Sequence, residues 1–190
     1  MLRTTQPSFD NPYPASDWSE ITDFEYVTPL WLYRHCSALR RGGSKRDADY
    51  VVAAPYRVAF KLDGQPRQIT VPEGMLTDLA SVPRIARSII SRVGPHLEAS
   101  IVHDFLYIAW QDIPGHEARK EDWRFADRLM RAAMRACNVG PVNRWLIFQA
   151  VSNFGWGTYE KADPPPRYVD VPADRYLTCA QIDAAVPPEL

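Results

Sequence analysis

The sequence predicts an α+β fold: a small antiparallel β-hairpin or sheet beside a four-helix body, with extended proline-rich arms at both ends. Three observations lead there. Tyr56–Leu62 alternates polar and apolar residues, turns at Asp63-Gly64 and returns over Gln68–Val71, the pattern of a tight hairpin. From Ser81 onward the apolar period changes from that of a strand to that of a helix. Prolines gather near both ends, at positions 7, 12, 14 and 29 and again at 164–166, 172, 187 and 188.

Taken in order, residues 1–30 read as an arm, because Phe9, Tyr13, Trp18, Phe24 and Tyr26 are scattered among prolines without a strand or helix period. Such an arm is either loose or docked on the body or a neighbour, where burial of its rings offsets the ordering entropy. Residues 31–163 form a single body. Its first helix is predicted over Arg84–Val93, with Ser81 as cap, Pro83 in the first turn and Gly94-Pro95 as stop. The second runs from about His96 to Trp110. The third spans Glu117 to Cys137 and ends at Asn138, Gly140 and Pro141. The fourth covers Val142–Phe154, closed by Gly155 and Gly157. Residues 164–190 form a second arm that the three consecutive prolines keep extended.

The chain has 190 residues, 22 Lys plus Arg against 23 Asp plus Glu, and 46% hydrophobic residues. That apolar share suffices for a core. Near-neutral charge leaves no global field for nucleic acid or an anionic membrane, so nucleic acid is not an expected partner. The basic Arg40-Arg41 and Lys45-Arg46 cluster reads as a solvated loop. Cys36, Cys137 and Cys179 are odd in number and widely spaced, which argues against a disulfide scaffold or a thiolate zinc site. The opening lacks the apolar run of a secretory signal, and no transmembrane segment is expected.

The second helix holds the most informative residues. Leu97, Ile101, Val102, Phe105, Leu106 and Ile108 make it apolar around most of its circumference, yet His103 and Asp104 sit in its middle. Buried ionisable groups are costly unless paired. On the third helix Asp127 lies on the stripe of Trp123, Met130, Met134 and Cys137, so its carboxylate points inward. Antiparallel neighbours would bring Asp127 to the His103 imidazole, with Tyr107, one turn further, donating into the same network. A neutral imidazole held at one nitrogen offers the other as a general base. Asp104, turned about 100° around the helix, could face a cation on the opposite side. Upstream, Thr77, Asp78 and Ser81 crowd one turn; Asp78 is either a turn-stabilising residue or a further carboxylate for the His103 site. His35, His96 and His116 read as surface or helix-start groups.

The segment Val71-Pro72-x-Gly74-x-x-Thr77-Asp78-Leu79-Ala80-Ser81-Val82-Pro83, the helix His103-Asp104-x-Leu106-Tyr107 and the pair Ala126-Asp127 resemble the signature of the phage and prophage family of domain of unknown function 1353. The likeness covers about residues 56–156, with Phe154-Gly155-Trp156 similar as well. It implies a protein encoded among the structural, tail or lysis genes of a tailed phage, prophage or gene-transfer particle, made in a host cytoplasm and located in a virion. The His103-Asp104-x-x-Tyr107 helix followed by an inward Asp127 is also similar to the core of phospholipases of the A-two type, above all the short parvoviral form. That likeness implies that His103 activates water, Asp104 binds calcium, Asp127 orients the imidazole and Tyr107 supports it. The glycine-rich Y-x-G-x-G calcium loop and the flanking cysteines of those enzymes are missing.

Two expectations follow. One is a virion-associated structural or tail protein whose arms contact other subunits and whose His103, Asp104 and Asp127 fix helix packing. The other is an envelope-degrading hydrolase, acting on lipid ester or peptidoglycan, with His103 as base, Asp127, Tyr107 and Asp78 as helpers and a divalent cation such as calcium at Asp104.

Overall fold

The computed structural model of the chain describes residues 7–34, 50–77, 94–162, 167–171 and 181. The elements are β1 (Ile21–Tyr26), β2 (Leu32–Arg34), β3 (Tyr50–Val52), β4 (Tyr56–Leu62), β5 (Gln65–Val71) and β6 (Leu76–Thr77). They are followed by α1 (Leu97–Ile108) with a 3-10 turn at Ala109–Asp112, α2 (Lys120–Ala136), α3 (Pro141–Phe154) and the short α4 (Trp156–Tyr159). Two antiparallel three-stranded sheets, in the orders β1-β4-β5 and β2-β3-β6, stand beside the helices. The fold is α+β, as expected. The predicted helix over Arg84–Val93, the basic loop, His35 and the prolines at 164–166 lie outside the described residues.

The hairpin follows its local code. Tyr56, Val58, Phe60 and Leu62 are buried while Arg57 and Lys61 stay exposed. Asp63 and Gly64 both take positive φ, 49° and 78°, the two-residue turn whose twist suits a hairpin. Asp63 also ties in the third strand of its sheet, accepting the backbone N–H groups of Ser19 and Glu20 at 3.0 and 2.9 Å. The Ser19 hydroxyl first, and then these backbone bonds, hold its carboxyl below the ordinary range.

The N-terminal segment is not the periodless arm its sequence suggests. β1 pairs with β4, but its register shifts between Thr22 and Glu25, and Asp23 between them has φ 50°. That bulge interrupts the alternation by which a strand is recognised. Ahead of it Tyr13 is 2% exposed; its hydroxyl donates to the Leu106 carbonyl and accepts the Trp110 N–H at 3.2 Å. Phe9 meets Phe105 edge-on at 5.1 Å, and Trp18 meets Phe125 at 5.5 Å. Aromatic burial outweighs the cost of ordering this segment.

The helices are placed by their apolar faces. α1 buries eight of its twelve residues, packed against α2 and the shared core of the β1-β4-β5 sheet. α2 buries two adjoining stripes: Phe125, Ala126, Leu129 and Ala133 beside the one containing Asp127, Met130 and Met134. It begins at Lys120, three residues later than predicted, because Arg119 is extended at φ −120°, ψ 143°. It ends where Asn138 adopts φ 57°, with the Val139 N–H closing on the Met134 carbonyl at 3.0 Å. α4, right after Gly155, was not anticipated.

Residues 167–171, inside the predicted C-terminal arm, run along the body. The Val169 N–H bonds the Gly74 carbonyl at 2.9 Å and the Leu76 N–H bonds the Arg167 carbonyl at 3.0 Å. Val169 and Val171 pack on Val51. The Arg167 guanidinium grips Asp112, whose second oxygen accepts the Tyr168 hydroxyl at 3.1 Å. Gly74 has φ 88°, and a Cβ there would overlap the Val169 carbonyl oxygen. Gly74→Ala is therefore expected to lower stability by at least about 1–2 kcal/mol from the backbone term alone, and to raise amide hydrogen exchange at Val169. Unchanged exchange there would contradict this packing.

Candidate functional site

The apolar environment of α1 forces its ionisable residues to find partners, and α2 supplies them. His103 Nε2 lies 2.9 Å from Asp127 Oδ1, and the Tyr107 hydroxyl donates to the same oxygen at 2.9 Å. Trp123 Nε1 in turn donates to the Tyr107 oxygen at 3.0 Å. An indole N–H can only donate, so the Tyr107 hydrogen is directed onward to the carboxylate. As position rises from 103 to 107 on α1, the partner falls from 127 to 123 on α2. The two helices are antiparallel neighbours.

The centre is enclosed. His103 and Asp127 are each 2% exposed. An imidazole that donates from Nε2 to a carboxylate keeps a lone pair on Nδ1; this proton placement is assigned from the hydrogen-bond network. That Nδ1 atom is buried and has no partner, and neither has Asp127 Oδ2. Burial first, then the Asp127 charge, pushes the Tyr107 hydroxyl far above its ordinary pKa, so it remains a donor through the neutral and alkaline range.

Gly155, at the end of α3, closes the network from the other side. A Cβ there would overlap the Tyr107 hydroxyl and come within 3.0 Å of Trp123 Nε1. Asp104 does not share this centre: its Oδ2 accepts the Thr77 hydroxyl at 2.6 Å, tying α1 to β6. Among the described residues no group of three or more His, Cys, Asp or Glu could hold a metal ion. Asp78 and Ser81 lie outside the described residues.

Two polar clusters escaped the sequence reading. His116 is neither a surface group nor a helix cap. Its Nε2 lies 2.7 Å from Asp122 Oδ2, which also accepts Arg119 Nε at 3.0 Å, and its ring stacks on Tyr13 at 5.3 Å. The signal was present in the second apolar stripe of α2, which turns Asp122 inward. His96 is likewise buried, 5% exposed, at the start of α1 with no side-chain cap bond. The Asp112–Arg167–Tyr168 cluster joins residues more than fifty positions apart and has no local signature.

Removing the shared acceptor with Asp127→Ala leaves the His103 and Tyr107 donors both unsatisfied, and is expected to cost about 2–5 kcal/mol. Tyr107→Phe should cost about 1–2 kcal/mol. Denaturant unfolding followed by circular dichroism checks the order; equal costs would show that Asp127 is not the hub. Stability should also fall as pH rises past about 10. Tyr13, Tyr26, Tyr56, Tyr107, Tyr159 and Tyr168 all have pKa values raised by burial above the ordinary 10.0. The folded chain therefore keeps protons that the unfolded chain releases, and that difference is absent below the unfolded value. Tyrosinate absorbance should rise together with loss of structure; titration within the folded state would contradict the burial of these hydroxyls.

Among the described residues no helix is long and apolar enough to cross a membrane. No curated protein and no solved structure matches the chain. One family does, under the description "Protein of unknown function (DUF1353)", over residues 31–151. The matched stretch contains α1, α2, the His103–Asp127 pair and most of α3, and begins upstream of the hairpin. This chain belongs to that family of DUF1353 proteins.

Proposed function

We propose that this chain is a virion-associated structural or tail protein of a phage or gene-transfer particle, in which the His103–Asp127–Tyr107–Trp123 network fixes helix packing and performs no catalysis. The observation behind the non-catalytic assignment is the enclosure of His103 Nδ1. A general base must reach the proton it abstracts, directly or through one water, and this nitrogen is sealed. The particle context rests on the resemblance of the Val71–Pro83, His103–Tyr107 and Ala126-Asp127 motifs to phage and prophage proteins. Other virion subunits are the proposed partners. Residues 7–34 and 167–171 are engaged on the body itself, so arm contacts with those subunits would fall to the remaining terminal residues.

One observation favours the hydrolase as a second reading. Asp127 occupies one imidazole nitrogen and leaves the other without a partner, the disposition of a His base acting on a lipid ester or peptidoglycan. Two experiments separate the readings. Mass spectrometry of particles purified from cells that carry the gene should find the chain at fixed copy number; its absence from particles, while abundant in the lysate, would overturn the structural assignment. Purified chain incubated with phospholipid vesicles plus calcium, or with peptidoglycan, should release nothing above buffer. Product release that disappears in a folded His103→Gln variant would establish the hydrolase instead.

A further inference from the structure

The outer face of α2 carries a charge pattern that nothing inside the molecule uses. Lys120, Arg124, Arg128, Arg131 and Arg135 are all exposed. At about 100° per residue they fall within an arc of about 80° that no other residue of the helix enters. The stripe runs along the axis for about 22 Å, at a rise of about 1.5 Å per residue. None of the five forms an ion pair with a described residue. Of the acids on α2, Asp122 and Asp127 are buried and already bonded, and Glu121 stands outside the arc in the first turn. A solvated helix face gains support by interleaving both signs at four-residue spacing. Here the neighbours three and four apart repel one another instead.

Three of these cations rest on aromatic rings: Lys120 on Trp156 at 5.7 Å, Arg128 on Trp18 at 5.1 Å and Arg131 on Phe148 at 4.8 Å. A ring face steadies a cation without neutralising it, so the stripe is held in place and keeps its full charge. The net charge of −1 conceals it. Screening limits surface charges to a range of about 8 Å at physiological salt, so a partner touching α2 meets the local cations and not the balance of the whole chain. The layout of the stripe selects that partner. Cations spaced about 4.5–6 Å along one line suit a linear polyanion, and four guanidiniums suit phosphate oxygens. An anionic membrane calls for large apolar side chains beside the cations, and none of the exposed large apolar residues lies on α2. A single strand calls for free rings on which its bases stack, whereas the rings along the stripe already carry cations. The other faces of α2 pack on α1, α3 and β1, so the helix meets a phosphate backbone without entering a groove to read bases.

We propose that the cationic stripe of α2 binds the phosphate backbone of duplex DNA without regard to base sequence. The assignment is independent of the particle role. It is tested by fluorescence anisotropy of the full chain against labelled duplexes of about 20 base pairs, at about 50–200 mM salt. Two duplexes of unrelated sequence should bind saturably and equally well. The logarithm of the association constant should fall against the logarithm of salt with a slope of about −4.5, about 0.9 for each of five phosphates neutralised. The double variant Arg124→Gln, Arg135→Gln removes two cations that rest on no ring. It should keep its thermal midpoint, bind at least about tenfold more weakly and show a slope of about −2.7. Arg57→Gln, which removes an exposed cation of the hairpin, should leave affinity and slope as they were. No saturable binding, an unchanged slope in the double variant, or an equal loss in Arg57→Gln would each overturn the proposal. So would tighter binding to a single strand of the same length, or binding to phosphatidylserine vesicles but not to the duplex.

Discussion

The carboxylate of Asp127 sets the terms for the helical half of the molecule. A charge so enclosed is tolerable only when hydrogen-bonded groups surround it, and here the donors come from α1 while a third group, the Trp123 indole, fixes the direction of the Tyr107 hydroxyl. Those bonds determine which faces of α1 and α2 meet and in what register. Apolar packing alone would allow α1, apolar on nearly every side, to rotate or slide by a turn at little cost; a buried hydrogen-bond hub does not. Gly155 extends the constraint to α3, because the approach of that helix end to Tyr107 leaves no space for a side chain.

The same geometry sends the polar groups of one short motif in different directions. The spacing of His103, Asp104 and Tyr107 puts an imidazole, a carboxylate and a phenol on one short helix, but each is directed differently: the imidazole and the phenol to α2, the carboxylate to Thr77 on β6. A His–Asp pair acts as a base only where its free nitrogen is reached by a substrate or water, and His103 Nδ1 is enclosed in this structure.

What the sequence made legible was whatever is encoded locally. The β4–β5 hairpin, the end of α2 at Asn138 and the inward turn of Asp127 each follow from residues within a few positions of one another. β1 was hidden because its bulge at Asp23 breaks the period, and β2, β3 and β6 are too short to show one. Trp123 read as an apolar stripe residue, since composition does not reveal that its N–H completes a polar chain. Asp122 and His116 were overlooked because the buried face of α2 is wider than one stripe. The pairing of Asp112 with Arg167 depends on the closed chain and leaves no trace in either neighbourhood.

That last pairing bears on the order of events during synthesis. Asp112 is made 55 residues before its partner, its side chain ends fully enclosed, and the cation that neutralises it arrives only with Arg167, after α4. A nascent chain that has exposed everything through α4 still lacks this counter-charge, as well as the valines that cover Val51. Closure around Asp112 and the covering of Val51 therefore wait for residues 167–171, whereas the hairpin and the helical pair need nothing beyond residues already made.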